Sequence, residues 1–191
     1  MKGIYIFLAP GYEPLEALGP MDVLKRAKLD CRFVAMGDSL LIPSTQDYAV
    51  QADIVWKDFL ESASLDGADG CMIFPGGLPG ADNLGSNETL ARITRDHFNA
   101  GGLTCAICAS PARMLTRVFG KSLSGRKMTV YEGFEGEMTP FGITCTGASV
   151  QEDGNLITAK GPGLAIDFGL AILQRLVDPR IYNVVKSAMM L

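Results

Sequence analysis

Short apolar runs that end abruptly at glycine or proline recur along this chain. Between them lie longer stretches whose apolar residues fall at helical spacing. Residues 4–9 (IYIFLA) stop at Pro10-Gly11 and residues 71–74 (CMIF) stop at Pro75-Gly76-Gly77, the pattern of short buried strands. Residues 31–36 (CRFVAM) and Leu103–Ile107 (LTCAI) predict two further strands, and residues 48–55 (YAVQADIV) a partly alternating one. Residues 127–130, residues 143–145 and Leu156–Ala159 carry weaker strand patterns. A helix opens at Pro14, with Leu15, Leu18, Val23 and Leu24 as its apolar face and Gly19-Pro20 as a kink. Asn87 is placed to cap a helix running to about Asn99, with Glu88 in the first turn and Gly101-Gly102 ending it. Ser110-Pro111 reads as a cap followed by proline at the first helical position. Residues 163–177 form a helix apolar enough to lie on a sheet, and residues 181–189 a last one. Strands alternating with helices predict an α/β fold with a largely parallel sheet. Sites then belong at the carboxyl ends of its strands.

Composition narrows the function classes. The chain has 191 residues, 48% hydrophobic and 20% charged, without repeats or a linker, so residues 1–191 are expected to form one domain. A net charge of −4 argues against non-specific nucleic-acid binding. No apolar run approaches the roughly 20 residues of a membrane helix. The N-terminal pattern is not that of a signal peptide, so a cytoplasmic location is expected, with Cys31, Cys71, Cys105, Cys108 and Cys145 reduced. A single histidine, His97, leaves a zinc site almost no ligands, and neither a metal nor another cofactor is expected. Beside Asp96 on a predicted helix, His97 reads as a partly exposed surface side chain.

The sharpest chemical feature is LTCAICASPAR, residues 103–113. A strand runs into Cys108 and a helix starts two residues later, the context of a nucleophile elbow, with small Ala106 and Ser110 flanking the tight turn. A helix N-terminus would lower the thiol pKa. The competing reading is a buried cysteine that packs as a small hydrophobe. Cys105 and Cys108 also spell C-x-x-C, but Cys105 falls inside the strand, its Cα on the order of 10 Å from that of Cys108. A disulfide needs less than about 7 Å, which argues against a redox couple. Glycines at Gly76, Gly77 and Gly80 could turn backbone N–H groups into a pocket at a strand end, or simply make a tight turn. Glu13 and Glu16 follow the first strand; Glu13 reads as a solvated helix-start residue, and Glu16, between Leu15 and Leu18, is open to either a solvated or a catalytic role. Asn87-Glu88-Thr89 matches a glycosylation sequon that a cytosolic chain would not use.

Four segments, FLAPGYEPLEALGPMDVLKRA, IFPGGLPGADNL, CAICASPARML and ITAKGPGLAIDFGLAIL, occur in an order and spacing that resemble the DJ-1/ThiJ/PfpI superfamily. The resemblance is strongest to its DJ-1 and bacterial YajL branch and runs from Ile4 to about Val177. It implies a flavodoxin-like, doubly wound, mostly parallel sheet with helices on both faces, as in class I glutamine amidotransferases, and usually a homodimer. By resemblance, Cys108 is the nucleophile and Glu16 its carboxylic-acid partner. Backbone N–H groups of Gly76, Gly77 and Ala109 would surround the sulfur and an oxyanion, and Pro162 would lie near the pocket and the dimer contact. Where some members carry a pocket histidine, this chain has Tyr131, so a Cys–His–acid hydrolytic triad is unsupported. The family's cofactor-free chemistry on reactive dicarbonyls, of glyoxalase III or deglycase type, becomes the expected stress-protective activity. The substrate would be a small aldehyde or a glycated adduct. The alternative is a peroxide-responsive sensor or redox-regulated chaperone acting through oxidation of Cys108.

Overall fold

The computed structural model describes residues 1–65 and 67–191. Its strands are β1 (Gly3–Leu8), β2 (Cys31–Ala35), β3 (Leu41–Pro43), β4 (Ala49–Gln51), β5 (Ile54–Val55), β6 (Gly70–Phe74), β7 (Leu103–Ile107), β8 (Lys127–Met128), β9 (Thr144–Cys145), β10 (Val150–Asp153) and β11 (Leu156–Ala159). Its α-helices are α1 (Pro14–Arg26), α2 (Trp56–Ser62), α3 (Gly80–Gly85), α4 (Glu88–Asn99), α5 (Thr116–Phe119), α6 (Glu135–Met138), α7 (Ala165–Leu176) and α8 (Pro179–Ala188). Seven strands form the main sheet in the order β10-β11-β7-β6-β1-β2-β5, and only the β10–β11 pair is antiparallel. The expected flavodoxin-like α/β architecture is the one observed.

The sheet is buried on both faces because its central strands are apolar at nearly every position, Thr104 and Thr158 being the buried polar exceptions. Ile6, Leu8, Ile73, Cys105 and Ile107 point into one core with α1 and α7, whose Val23, Leu24, Phe168 and Leu173 cover them. The alternate residues Phe7, Met72, Phe74 and Ala106 enter a second core with Phe59, Leu90, Ile93, Phe98 and Met114. From β1 the chain steps outward to β2 and β5, then returns to the other side of β1 through β6, β7 and β11. The order therefore reverses between β1 and β6, and a crevice opens at their carboxyl ends.

Several local expectations are corrected. The α1 helix runs unbroken through Pro20, and its buried face is Pro14, Glu16, Ala17, Pro20, Val23 and Leu24. Leu15 and Leu18 point outward, 57% and 37% exposed. Small residues decide this orientation. A Cβ on Gly19 would lie 2.8 Å from Ala165 Cβ, and one on Gly169 would lie 2.9 Å from Pro20 Cα, so α1 and α7 cross with backbones close together. The predicted strand over residues 48–55 is two strands. β4 pairs with β3 outside the main sheet, and β5 joins the edge beside β2. Asp53 makes the break, its carboxylate accepting the Phe33 N–H at 2.7 Å. Asn87 caps α4 as expected, accepting from Leu90 N–H at 2.9 Å. Ser110 does not act as a cap. Its own backbone is helical, its hydroxyl donates to Pro75 O at 2.6 Å, and Pro111–Leu115 forms a π-helical turn leading into α5.

His97 is a further correction, because it is buried (1% exposed) and not on the surface. Nε2 lies 3.2 Å from Leu103 O, which can only accept, so Nε2 carries the proton. Nδ1 faces the N-terminal amine at 3.4 Å. A Cβ on Gly102 would fall 2.0 Å from the ring, so that glycine makes room for the imidazole as well as ending α4. Burial, and then the N-terminal charge, hold the imidazole pKa below its ordinary value.

Candidate active site

β7 delivers Cys108 at its carboxyl end with φ +62°, a left-handed conformation that costs a non-glycine residue about 1–3 kcal/mol. The surroundings hold it there on three sides. Cys108 N–H donates to Ala159 O at 2.9 Å, Cys108 O accepts from Tyr131 N–H at 3.0 Å, and the Ser110 hydroxyl ties the following residues to Pro75 at the end of β6. This is the elbow predicted from the strand–turn–helix pattern. The Ser110–Pro75 link and the Ala159 contact were not anticipated, because both join segments distant in sequence.

Glu16 enters from the first turn of α1. Glu13 caps that helix, its carboxylate accepting Glu16 N–H at 2.9 Å, while its own N–H donates to Gly76 O at 3.0 Å. Glu13 is thus a structural cap that fixes α1 to the β6 turn, and Glu16 is driven inward. Glu16 is fully buried, and its Oε2 accepts Gly76 N–H at 2.7 Å, while Oε1 has no hydrogen-bond partner among the described residues. Desolvation raises its pKa from 4.5 to about 7, opposed by interactions with the Cys108 thiol and Gly76 N–H. A Cβ on Gly76 would lie 2.8 Å from both Cys108 Cβ and Glu16 Oε2. Only glycine fits between acid and thiol.

The thiol itself departs from the expectation of a lowered pKa. Cys108 is 9% exposed; burial, followed by the Glu16 charge, pushes its pKa up. Backbone N–H groups of Gly77 and Ala109 pull the other way, and they are outweighed. Acid and thiol therefore resist carrying two negative charges together. Of the three N–H groups expected around the sulfur, Gly77 and Ala109 face it, whereas Gly76 N–H is committed to Glu16.

Tyr131 reaches the site through its backbone; the residue is 47% exposed, and its ring covers Gly161, where an added Cβ would meet it at 3.2 Å. Pro162 begins the 3-10 turn Pro162–Leu164 and lines a neighbouring cavity together with Tyr131. Cys105 lies apart from Cys108, its Sγ 3.7 Å from Cys71 Sγ, and all five cysteines are free thiols. Among the described residues no group of three His, Cys, Asp or Glu is gathered to hold a metal ion.

A strained cysteine at the end of a central parallel strand, sharing its pocket with a buried acid, defines an elbow-cysteine α/β protein of the flavodoxin-like class. The sequence model of the DJ-1/PfpI family matches residues 2–175, and the chain belongs to that family. It is 29% identical to the Parkinson disease protein 7 homolog of Danio rerio, over 100% of this chain and 97% of the relative. It is 24% identical to a protein named glutathione-independent glyoxalase DJ-1 from Schizosaccharomyces pombe, over 99% and 98% of the two chains. The crystal structure of a cysteine-to-alanine mutant of a DJ-1 superfamily protein from Salmonella typhimurium superposes with a TM-score of 0.86 at 29% identity, covering 100% of this chain and 98% of that one.

Proposed function

We propose that this protein is a cofactor-independent enzyme that converts reactive α-oxo aldehydes to hydroxy acids through Cys108. The observation that carries the reading is the buried Glu16 carboxyl, raised to about 7 and held against the thiol of a strained elbow cysteine. Glu16 as carboxylate takes the Cys108 thiol proton while the sulfur adds to the aldehyde carbon of methylglyoxal, and returns it to the former carbonyl oxygen to give a hemithioacetal. Glu16 then moves the proton of that carbon to the adjacent carbon, through an enediol, leaving a thioester on Cys108. Water hydrolyses the thioester to lactate and frees the thiol; glyoxal gives glycolate by the same steps. N–H groups of Gly77 and Ala109 stabilise the developing oxyanion, while Gly76 N–H holds Glu16 in place.

No imidazole is placed to replace Glu16. His97 bonds to Leu103 at the start of β7, about 16 Å of strand from Cys108. The name of the S. pombe relative supports the same chemistry. A glycated protein or nucleotide adduct would enter by the same hemithioacetal, so a deglycase activity shares the mechanism. The exposed ridge of Leu15 and Leu18 on α1 supports a homodimer, and free buried thiols fit a cytoplasmic location. No described helix is long and apolar enough to cross a membrane.

Lactate production from methylglyoxal by the purified protein, followed by isotope-resolved NMR, tests the reading. Activity is expected, and turnover that survives Cys108→Ser unchanged would overturn it. A Glu16 carboxyl protonated near neutrality also suits donation to a Cys108 sulfinate, which favours the sensor role as second reading. Mass spectrometry after mild peroxide decides that point, and absence of sulfinate on Cys108 removes it.

A further inference from the structure

The cavity beside the elbow is larger than a three-carbon dicarbonyl requires. It occupies about 620 Å³ and is lined by Tyr131, Ser149, Lys160, Gly161, Pro162 and Leu164, among others. At about 30 Å³ per water it has room for some twenty waters, whereas methylglyoxal has five heavy atoms. One of its walls, and the residue next to another, are bonded to the nucleophile's own backbone. Tyr131 donates to Cys108 O, and Ala159, the residue before Lys160, accepts from Cys108 N–H. A third wall follows, since Gly161 packs against the Tyr131 ring. Cavity and nucleophile therefore keep a fixed relation to each other.

Lys160 is the cation of this lining. It is half-buried at the end of β11, and the ion pairs formed among the described residues do not include it. Glu132, the carboxylate of the lining, is exposed, so water screens its charge more fully than that of Lys160. Tyr131, Pro162 and Leu164 supply apolar surface in the same lining as Lys160.

We infer that this cavity is a subsite for the distal part of the substrate and that Lys160 selects substrates bearing a carboxylate there. The preferred substrate class is then an α-oxo aldehyde with an apolar spacer and a remote carboxylate. The inference rests on the reading of Cys108 as the nucleophile that meets the aldehyde.

Phenylglyoxal and 4-carboxyphenylglyoxal form a matched pair of probes, each taking up one water to give the corresponding mandelate. The ratio of their kcat/KM values is measured in the native protein, in Lys160→Gln and in Lys160→Arg. The carboxylated probe is expected to be preferred about fivefold, with the preference lost in Lys160→Gln and largely kept in Lys160→Arg. A ratio that Lys160→Gln leaves unchanged overturns the inference. If neither probe turns over, alkylation of Cys108 by 4-(iodoacetamido)benzoate relative to iodoacetanilide decides instead, since it needs no catalysis and releases only iodide and the thiol proton. A relative rate of the carboxylated reagent that falls in Lys160→Gln upholds the anionic subsite while the enzymatic reading fails. A relative rate that does not change ends both.

Discussion

The two ends of β7 bury titratable side chains, His97 at one and the Glu16–Cys108 pair at the other, and treat them in opposite ways. At the amino end His97 has a partner on both ring nitrogens, and glycine leaves a slot of its shape. At the carboxyl end Glu16 has one oxygen satisfied and the other buried without a partner, beside a cysteine in a strained conformation. Burial alone therefore does not mark function. The distinguishing signs are the buried acid set against a thiol and the strained backbone, which the native packing maintains at a cost to stability. If this contrast is right, mutations at the carboxyl end alter chemistry first, and mutations at the amino end alter stability first.

The largest effect is expected at Cys108. Cys108→Ala should lower turnover of methylglyoxal by at least about 10³-fold, since the covalent step has no substitute nucleophile. Stability should stay near that of the native protein or rise slightly, and a denaturant titration beside the kinetic assay checks both. Gly76→Ala and Gly102→Ala sharpen the contrast. A Cβ at position 76 collides with Cys108 and Glu16, so most activity should go; at position 102 it collides with the His97 ring, so the denaturation midpoint should fall while kcat in the surviving folded protein holds. Equal loss of activity in the two variants would break the comparison.

Glu16→Gln comes next, with activity expected to fall about 10²-fold, the usual scale of a general acid–base group. The acid and thiol together lose their first proton near pH 7, so iodoacetamide labelling of Cys108 in the native protein should rise through that pH and then level off. In Glu16→Gln the thiol titrates alone under its burial penalty, and the rise should move to higher pH. The stability sign follows from the raised carboxyl. Its folded pKa of about 7 exceeds the unfolded 4.5, so the folded state binds the proton more tightly and loses stability as pH climbs through that interval. Above pH 7 Glu16→Gln should therefore be more stable than the native protein, by up to about 3 kcal/mol, and near pH 4 the two should converge. Urea titrations at the two pH values measure this.

Much of this arrangement was legible in the sequence because it is local. The uninterrupted apolar run Leu103–Ile107, then Cys108 and Ser110-Pro111, announces a buried strand feeding a sharp turn and a helix, and the sheet places that turn beside the switch point. What escaped is set by contacts between distant segments. Leu15 and Leu18 share a helical face, but close packing at Gly19 and Gly169 turns the opposite face inward. Ser110 has a cap's sequence context, but its own backbone is helical and its hydroxyl donates to the Pro75 carbonyl. The helix N-terminus suggested a lowered thiol pKa, but spacing gives no measure of burial, and burial dominates. His97 was misplaced for the same reason, because the slot that takes the ring depends on Gly102 lying against it.

The smallest effect is expected at that slot, and it tests the structural half of the contrast. The folded state holds the imidazole below its ordinary pKa, whereas an unfolded chain binds the proton near pH 6.5. Acidification through 6.5 therefore draws protons onto the unfolded state first, and folding stability should decline as pH falls from 7 toward 5. His97→Gln removes this proton-linked contribution while keeping a donor for Leu103 O. Its stability should lie about 1–3 kcal/mol below the native value at pH 8, through lost packing and an altered hydrogen bond, with a shallower decline on acidification. Methylglyoxal turnover per folded molecule should match the native protein at both pH values. A matching loss of kcat would place His97 in the chemistry, and the two ends of β7 would no longer divide structure from function.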